Sequence, residues 1–122
     1  MRSPTRVNQA YKPLGCEKMA TIQPPNHINV AGIRIPVHIK EEMPGRLAEY
    51  DPEMRCINIH VSVLRDRQLF RATLVHEVIH CALDLAGISF NTSRVLSEKI
   101  EEQVVSAVES LAAPAIIRVW RL

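Results

Sequence analysis

The sequence predicts an α+β fold in which a small antiparallel or mixed sheet precedes two antiparallel helices. Two stretches within residues 28–60 are rich in β-branched residues and are interrupted by turn-forming residues, so they predict two β-hairpins. After His60 the apolar residues recur with a period near 3.6, which predicts helices. A run of strands followed by a run of helices is typical of the α+β class.

The first predicted hairpin joins residues 28–31 to residues 33–40. Both runs contain isoleucine and valine, and the Ala31-Gly32 break between them indicates the turn. Pro36 lies within the second run and has no backbone N–H to donate to a neighbouring strand. It therefore predicts an edge position or a bulge.

The second predicted hairpin joins residues 47–50 to residues 55–60 across Asp51-Pro52-Glu53. Aspartate and proline favour tight turns, so this tripeptide indicates where the chain reverses. Ile57 and Ile59 alternate with polar residues, as expected of a strand with one buried face.

The first helix is predicted from Asp66 to Ala86, with Gly87 as its stop signal. Residues 74–86 are apolar almost all round, so this part of the helix is expected to be buried on most sides.

The second helix is predicted to begin between Ser93 and Ser97, because either serine is a suitable N-cap. Pro114 is predicted to end it, since proline interrupts helical hydrogen bonding. Residues 115–122 are apolar and basic, and they predict a short strand or helix packed on the domain.

Composition limits the kinds of protein that this chain can be. Its 122 residues suit one domain, and a hydrophobic fraction of 47% allows a packed core. A net charge of +2 is too small to indicate nucleic-acid binding, so no nucleic-acid partner is expected. No stretch approaches the roughly 20 apolar residues that span a bilayer, and no signal-peptide core is visible. We therefore expect a soluble cytoplasmic protein with no membrane partner.

Residues 1–26 are expected to form a flexible N-terminal arm ahead of a domain at residues 27–122. The arm is polar, contains four prolines and lacks helical or strand periodicity. Cys16, Cys56 and Cys81 are widely spaced and include no C-x-x-C pair. They indicate neither a disulfide framework nor a thiolate metal site, and they fit a reducing compartment.

The run His76-Glu77-Val78-Ile79-His80 contains the residues with the clearest chemistry. Helical residues four apart lie on one face, so the two imidazoles can bind one divalent metal, with zinc expected. Glu77 lies about 100° around the helix from His76 and can face a metal-bound water as a general base. The alternative is a helix that contains these residues by chance, which leaves three polar groups in an apolar helix without partners.

A catalytic zinc normally has three protein ligands, so a third ligand is required. Glu101 lies about 60° from the centre of the second helix's apolar stripe, whereas the other three glutamates lie about 120–160° away. Its height along the helix also matches that of His80 if the two helices are antiparallel. Glu101 is therefore predicted as the third ligand, ahead of Glu98, Glu102 and Glu109.

Three further residues have roles that the sequence leaves open. Tyr50 either donates a hydrogen bond to an oxyanion or is an ordinary hairpin tyrosine. Asp84 is too far along the helix to bind the metal, and either contacts His80 or lies on the helix surface. His60 either approaches the site or ends an exposed strand.

Residues 27–113 resemble the small single-domain zinc peptidases of the gluzincin type, the minigluzincins, which are often phage- or prophage-encoded. They resemble the ImmA/IrrE metallopeptidases more distantly. The resemblance is carried by Gly32-Ile33-Arg34-Ile35-Pro36-Val37, Ala48-Glu49-Tyr50-Asp51, Ile57-Asn58-Ile59, Thr73-Leu74-Val75-His76-Glu77-Val78-Ile79-His80 and Glu101-Glu102-Gln103-Val104-Val105.

The resemblance implies a zincin-like peptidase with Zn²⁺ as cofactor and a peptide or protein as substrate. It implies that His76, His80 and Glu101 are ligands and that Glu77 is the general base. It also implies an edge strand that holds an extended peptide, and the cytoplasm of a bacterial host or phage-infected cell. The main alternative is a zinc-binding but non-catalytic regulatory or phage accessory module, and a further one is a metal-free α+β binding domain.

Overall fold

A computed structural model of the protein describes residues 22–122, and these residues form a four-stranded mixed sheet with helices. The strands are β1 (His27–Val30), β2 (Ile33–Lys40), β3 (Ala48–Asp51) and β4 (Cys56–His60). Their order across the sheet is β1-β2-β4-β3. The outer pairs are antiparallel and the central β2–β4 pair is parallel. The α+β prediction and both predicted hairpins are confirmed.

The turn of the first hairpin is a two-residue loop formed by Ala31 and Gly32. Val30 and Ile33 are partners in the register, and the two residues between them have φ of 54° and 78°. Two successive positive φ angles are typical of a type I′ turn, whose twist matches that of the strands.

Pro36 lies in a strand that is not at an edge of the sheet, so the predicted edge position is wrong. Residues 33–36 of β2 pair with β1, whereas residues 37–40 pair with β4. Pro36 is therefore the last residue of one ladder and precedes the first residue of the other. A proline is tolerated there because neither ladder needs its missing N–H.

Strand β4 is buried on both faces, whereas the sequence predicted one buried face. Its residues Cys56, Ile57, Asn58 and Ile59 are all buried. Asn58 is the polar member of this set, and its side-chain amide donates a 3.0 Å hydrogen bond to Glu49 Oε2. This bond satisfies a polar group that is costly to bury without a partner.

Helix α1 (Arg67–Leu85) follows a 3-10 helix at Val61–Arg65 and lies within the predicted bounds. The side chain of Asp66 caps it by accepting from the N–H groups of Gln68 and Leu69. Within the helix only Phe70, Glu77 and Cys81 are buried. Over residues 74–86 only Ala82 and Ala86 are exposed, whereas nine residues are half-buried. The predicted burial on most sides therefore holds only in part, because the sheet and the second helix do not cover the helix completely.

Helix α2 (Glu98–Ala107) begins after the N-cap Ser97, as predicted. The helical segment that starts with α2 continues past Pro114, so the predicted helix end at this proline is wrong. A π-helical segment (Val108–Ala112) leads directly into helix α3 (Ala113–Trp120). The N–H of Ala113 bonds to the carbonyl of Val108, five residues back, so a wide turn immediately precedes the proline whose ring conflicts with regular helical bonding.

The core lies between the sheet and α1. It contains Ile35, Ile57, Ile59, Val63, Phe70 and Cys81, together with Ile22 and Val37. Burial of one such isoleucine side chain contributes about 1.5–3 kcal/mol. Ile22, within the segment predicted as an arm, is only 7% exposed, and the rest of that segment, residues 1–21, lies outside the described residues. Within residues 22–122, no helix has both the length and the apolar character needed to cross a membrane.

Candidate metal centre

The two histidines of α1 point toward the helical segment formed by α2 and the π-helical turn. Their ring centroids are 5.0 Å apart and their planes are inclined by 62°. The spacing of four residues places both imidazoles on one helix face, as the sequence predicted. Each ring contacts two carboxylates of the opposite helical segment, one through each nitrogen.

The Nδ1 atoms of both rings are hydrogen-bonded to carboxylates. His76 Nδ1 is 2.9 Å from Glu109 Oε1, and His80 Nδ1 is 2.7 Å from Glu101 Oε2. An ionised carboxylate only accepts, so in each pair the imidazole is the donor. A neutral ring that has its proton on Nδ1 presents a bare lone pair at Nε2.

Both Nε2 atoms face the carboxylate of Glu102. The distances are 3.5 Å from His76 Nε2 to Oε1 and 3.2 Å from His80 Nε2 to Oε2. One potential ligand atom from each of these three residues lies within 4.8 Å of the others. Three acceptors that converge in this way repel one another unless a positive charge lies between them. Two additional protons or one metal cation supply that charge.

Glu77 is buried beside the histidine pair, with only 7% of its surface exposed. Burial raises the pKa of its carboxyl group, whereas the two imidazoles and a hydrogen bond from the backbone N–H of Tyr50 oppose this rise. A carboxylate with a raised pKa accepts a proton more readily than an exposed one, which suits a general base.

Glu101, the predicted third ligand, is located differently from the expectation. It is 4% exposed and lies on the Nδ1 side of His80, whereas Glu102 lies on the Nε2 side. Burial alone would raise its pKa, but hydrogen bonds from Phe90, His80 and Ser89 hold the pKa below the ordinary value. The structure thus brings Glu102, and not Glu101, together with the converging nitrogens.

Two features of the sequence could have identified Glu102 and Glu109. They are seven residues apart, so they share a helix face. A metal-binding imidazole also usually donates its Nδ1 proton to an acceptor, so more than one carboxylate is expected near the histidine pair. The predicted ranking of the glutamates assumed one regular helix over residues 96–112, whereas the π-helical turn begins at Val108. It also assumed that the buried glutamate faces the histidine Nε2 atoms.

A cavity of about 410 Å³ opens over these residues. Its lining includes His76, Glu77, His80 and Glu102 on one side, and Ala48, Glu49 and Tyr50 of β3 on another. Among the described strands, β3 is at the edge of the sheet. The cavity is therefore a groove between the histidine pair and a sheet edge.

The backbone of β3 presents alternate residues to this groove. The His60 N–H donates to the Leu47 carbonyl at 2.8 Å, which identifies that pair as hydrogen-bonded in the antiparallel register. Hydrogen-bonded and non-hydrogen-bonded pairs alternate, so the backbone groups of Ala48 and Tyr50 point away from β4. The N–H of Tyr50 is the group that bonds to Glu77.

The structure shows the contacts of the three residues whose roles the sequence left open. The Tyr50 hydroxyl donates to Asp84 Oδ2 at 2.6 Å, and Thr92 donates to the other oxygen of Asp84. Asp84 therefore contacts Tyr50, and no bond between it and His80 is found in the described part of the chain. His60 Nδ1 accepts from the N–H of Ser62 and caps the 3-10 helix.

Comparison with known proteins identifies no relative of this chain: no family model, no curated protein and no solved structure matches it. Its chemistry is therefore inferred from the site itself. Two imidazoles, one facing carboxylate and a buried carboxylate beside them can hold a divalent cation and accept a proton next to it.

Proposed function

We propose that this protein is a zinc-dependent, zincin-like peptidase in which His76, His80 and Glu102 bind the metal and Glu77 is the general base. One observation carries the proposal: one potential ligand atom from each of His76, His80 and Glu102 lies within 4.8 Å of the others. Three protein ligands with a fourth position open to a groove are typical of catalytic zinc, whereas structural zinc usually has four protein ligands.

The distances support a fit to zinc. Zinc binds imidazole nitrogen and carboxylate oxygen at about 2.0–2.2 Å, so two donors of a tetrahedral site lie about 3.3–3.6 Å apart. The nitrogen–oxygen distances of 3.2 and 3.5 Å are close to that separation, and they involve the two different oxygens of Glu102. A mixed set of imidazole and carboxylate ligands also suits zinc among the common divalent metals.

The proposed reaction is hydrolysis of a peptide bond. Zinc held by His76, His80 and Glu102 would lower the pKa of the attacking water and polarise the scissile carbonyl. Glu77 would accept a proton from the attacking water and deliver it to the nitrogen of the leaving amine. The bond from the Tyr50 N–H holds one side of the Glu77 carboxylate in place for this transfer.

The groove supports an extended peptide or protein segment as the substrate. Backbone groups of Ala48 and Tyr50 point away from β4 and toward the cavity. Because the Tyr50 N–H is directed at Glu77, an extended chain beside β3 would bond by strand addition to the N–H and carbonyl of Ala48 and to the carbonyl of Tyr50. It would thereby place a carbonyl near the histidine pair. The same groove favours catalysis over a purely structural metal, since a structural site needs neither an open cavity nor a buried base.

The proposal is tested by metal analysis and proteolysis on the full chain. Purified wild-type protein should contain about one zinc per chain, and a His76→Ala, His80→Ala double variant should contain none. Glu77→Gln should retain zinc and lose proteolysis of a denatured protein mixture by about 10²-fold or more. Wild-type protein that contains zinc but cleaves nothing would support the non-catalytic module, and absence of zinc would refute both.

A further inference from the structure

Both carboxylate oxygens of the buried Glu101 are occupied by hydrogen-bond donors. Oε1 accepts from Ser89 Oγ at 2.9 Å and from the Phe90 N–H at 2.7 Å. Oε2 accepts from His80 Nδ1 at 2.7 Å. Three bonds to a residue that is 4% exposed form a complete shell, as buried charged groups require.

The position of Glu101 excludes it from the metal. The two nitrogens of an imidazole lie on different edges of the ring, and each directs its proton or lone pair outward. A carboxylate that is bonded to Nδ1 therefore cannot reach a cation held by Nε2 of the same ring. The proposed metal and Glu101 lie on opposite sides of His80.

From these contacts we propose that Glu101 is a positioning residue for His80. The inference rests on the proposed function, and it concerns how the site is organised. Glu101 fixes the proton of His80 on Nδ1, so that the Nε2 lone pair faces Glu102 and the metal. Through Ser89 and Phe90 it also joins the loop of residues 86–97, which lines the groove, to α2 and to the metal-binding ring.

Replacement of Glu101 by glutamine provides a sharp test because an amide cannot satisfy all three donors. If the amide oxygen accepts from Ser89 and Phe90, the amide nitrogen faces His80 Nδ1 and donates to it. The proton of His80 then moves to Nε2, where it blocks the metal. Glu101→Gln should shift the tautomer of His80 and weaken zinc binding by about 10–100-fold.

The tautomer is measured on metal-free full-length protein by nitrogen-15 NMR of the histidine rings, at a pH where the rings are neutral. Wild type should show the Nδ1–H form of His80, and Glu101→Gln should show the Nε2–H form. Glu102→Gln is the matched control: it should reduce zinc binding without changing the tautomer. An unchanged His80 tautomer and an unchanged zinc Kd in Glu101→Gln would overturn the proposal.

A second measurement identifies the ligands directly and does not depend on activity. With cobalt(II) in place of zinc, Glu102→Cys should produce a sulfur-to-cobalt charge-transfer band, because its thiolate binds the metal. Glu101→Cys should produce no such band. The reverse pattern would make Glu101 the ligand and refute its positioning role, whereas a wild-type protein that binds no cobalt or zinc would refute the proposed function itself.

Discussion

The backbone N–H of Tyr50 donates a hydrogen bond to the buried carboxylate of Glu77, so the edge strand of the sheet holds the residue proposed as the general base. The hydroxyl of the same tyrosine donates a hydrogen bond to Asp84, which lies about one turn beyond His80 on α1. Burial and the bond to Asp84 raise the pKa of the Tyr50 hydroxyl, which therefore keeps its proton. Tyr50 thus joins β3 to α1 at two points beside the groove.

Replacement of Tyr50 by phenylalanine separates a structural role from a catalytic one. Tyr50→Phe retains the backbone N–H that bonds to Glu77 but removes the hydroxyl donor of Asp84. We expect a loss of about 1–3 kcal/mol in the free energy of unfolding, measured by urea denaturation. Proteolysis should be little changed. A fall in kcat of about 10²–10³-fold with unchanged stability would instead assign the hydroxyl to oxyanion stabilisation.

The local parts of the fold were predictable because their signals are local. Each hairpin is specified by its own turn residues, and α1 by Asp66 and Gly87 at its ends. The parallel β2–β4 pairing joins residues about 20 positions apart, and no short motif specifies it. Burial of β4 on both faces follows from that central position, so it was not predictable either.

The site was predictable where helical spacing determines it. His76 and His80 share a face in any regular helix, so their convergence follows from the spacing alone. The choice between Glu101 and Glu102 depends on where the loop of residues 86–97 lies, because Ser89 and Phe90 bind the more buried glutamate. A helical wheel identifies the buried residue but does not reveal whether it faces a histidine or a loop.

Glu109 is expected to assist metal binding through His76. Its Oε1 accepts from His76 Nδ1 at 2.9 Å, so a charged acceptor orients the ring and favours the Nδ1–H form. Glu109→Gln should weaken zinc binding by about 10-fold, measured by competition with a chelator. The control is Glu98→Gln, which removes a negative charge from the wall of the same cavity. Equal effects of the two variants would indicate that only net charge matters.

Stability is expected to fall at alkaline pH because two buried thiols must stay protonated. Burial raises the pKa of both Cys56 and Cys81 above the ordinary value of 9.0. In the unfolded chain these thiols ionise near pH 9, whereas the folded protein retains their protons. The unfolded state then binds fewer protons, so the free energy of unfolding decreases as pH rises. The contribution of the two thiols to the free energy of unfolding is complete below pH 9 and is lost as the pH rises further.

Urea denaturation at several pH values from about 8 to 11 measures this effect. A Cys56→Ala, Cys81→Ala double variant should be less stable at neutral pH, because it leaves space in the core. Its stability should nevertheless fall less steeply above pH 9 than that of wild type. Parallel curves for the two proteins would contradict the assignment of the alkaline loss to the thiols.

Ser97 is expected to stabilise the helix that holds both glutamates of the site. Its Oγ accepts from the Ile100 N–H at 3.1 Å, which satisfies one of the free donors at the start of α2. Ser97→Ala should cost about 1 kcal/mol in the free energy of unfolding. Ser106→Ala is the matched control, since Ser106 is exposed within the same helix and alanine is a better helix former.

The two serine variants also test whether the first turn of α2 organises the metal centre. Glu101 and Glu102 lie within the first five residues of that helix, so fraying of its start displaces both carboxylates. Ser97→Ala should therefore weaken zinc binding as well as stability, whereas Ser106→Ala should weaken neither. If Ser97→Ala lowered stability but left the zinc Kd at the wild-type value, the glutamates would be held by their own hydrogen bonds and not by the helix cap.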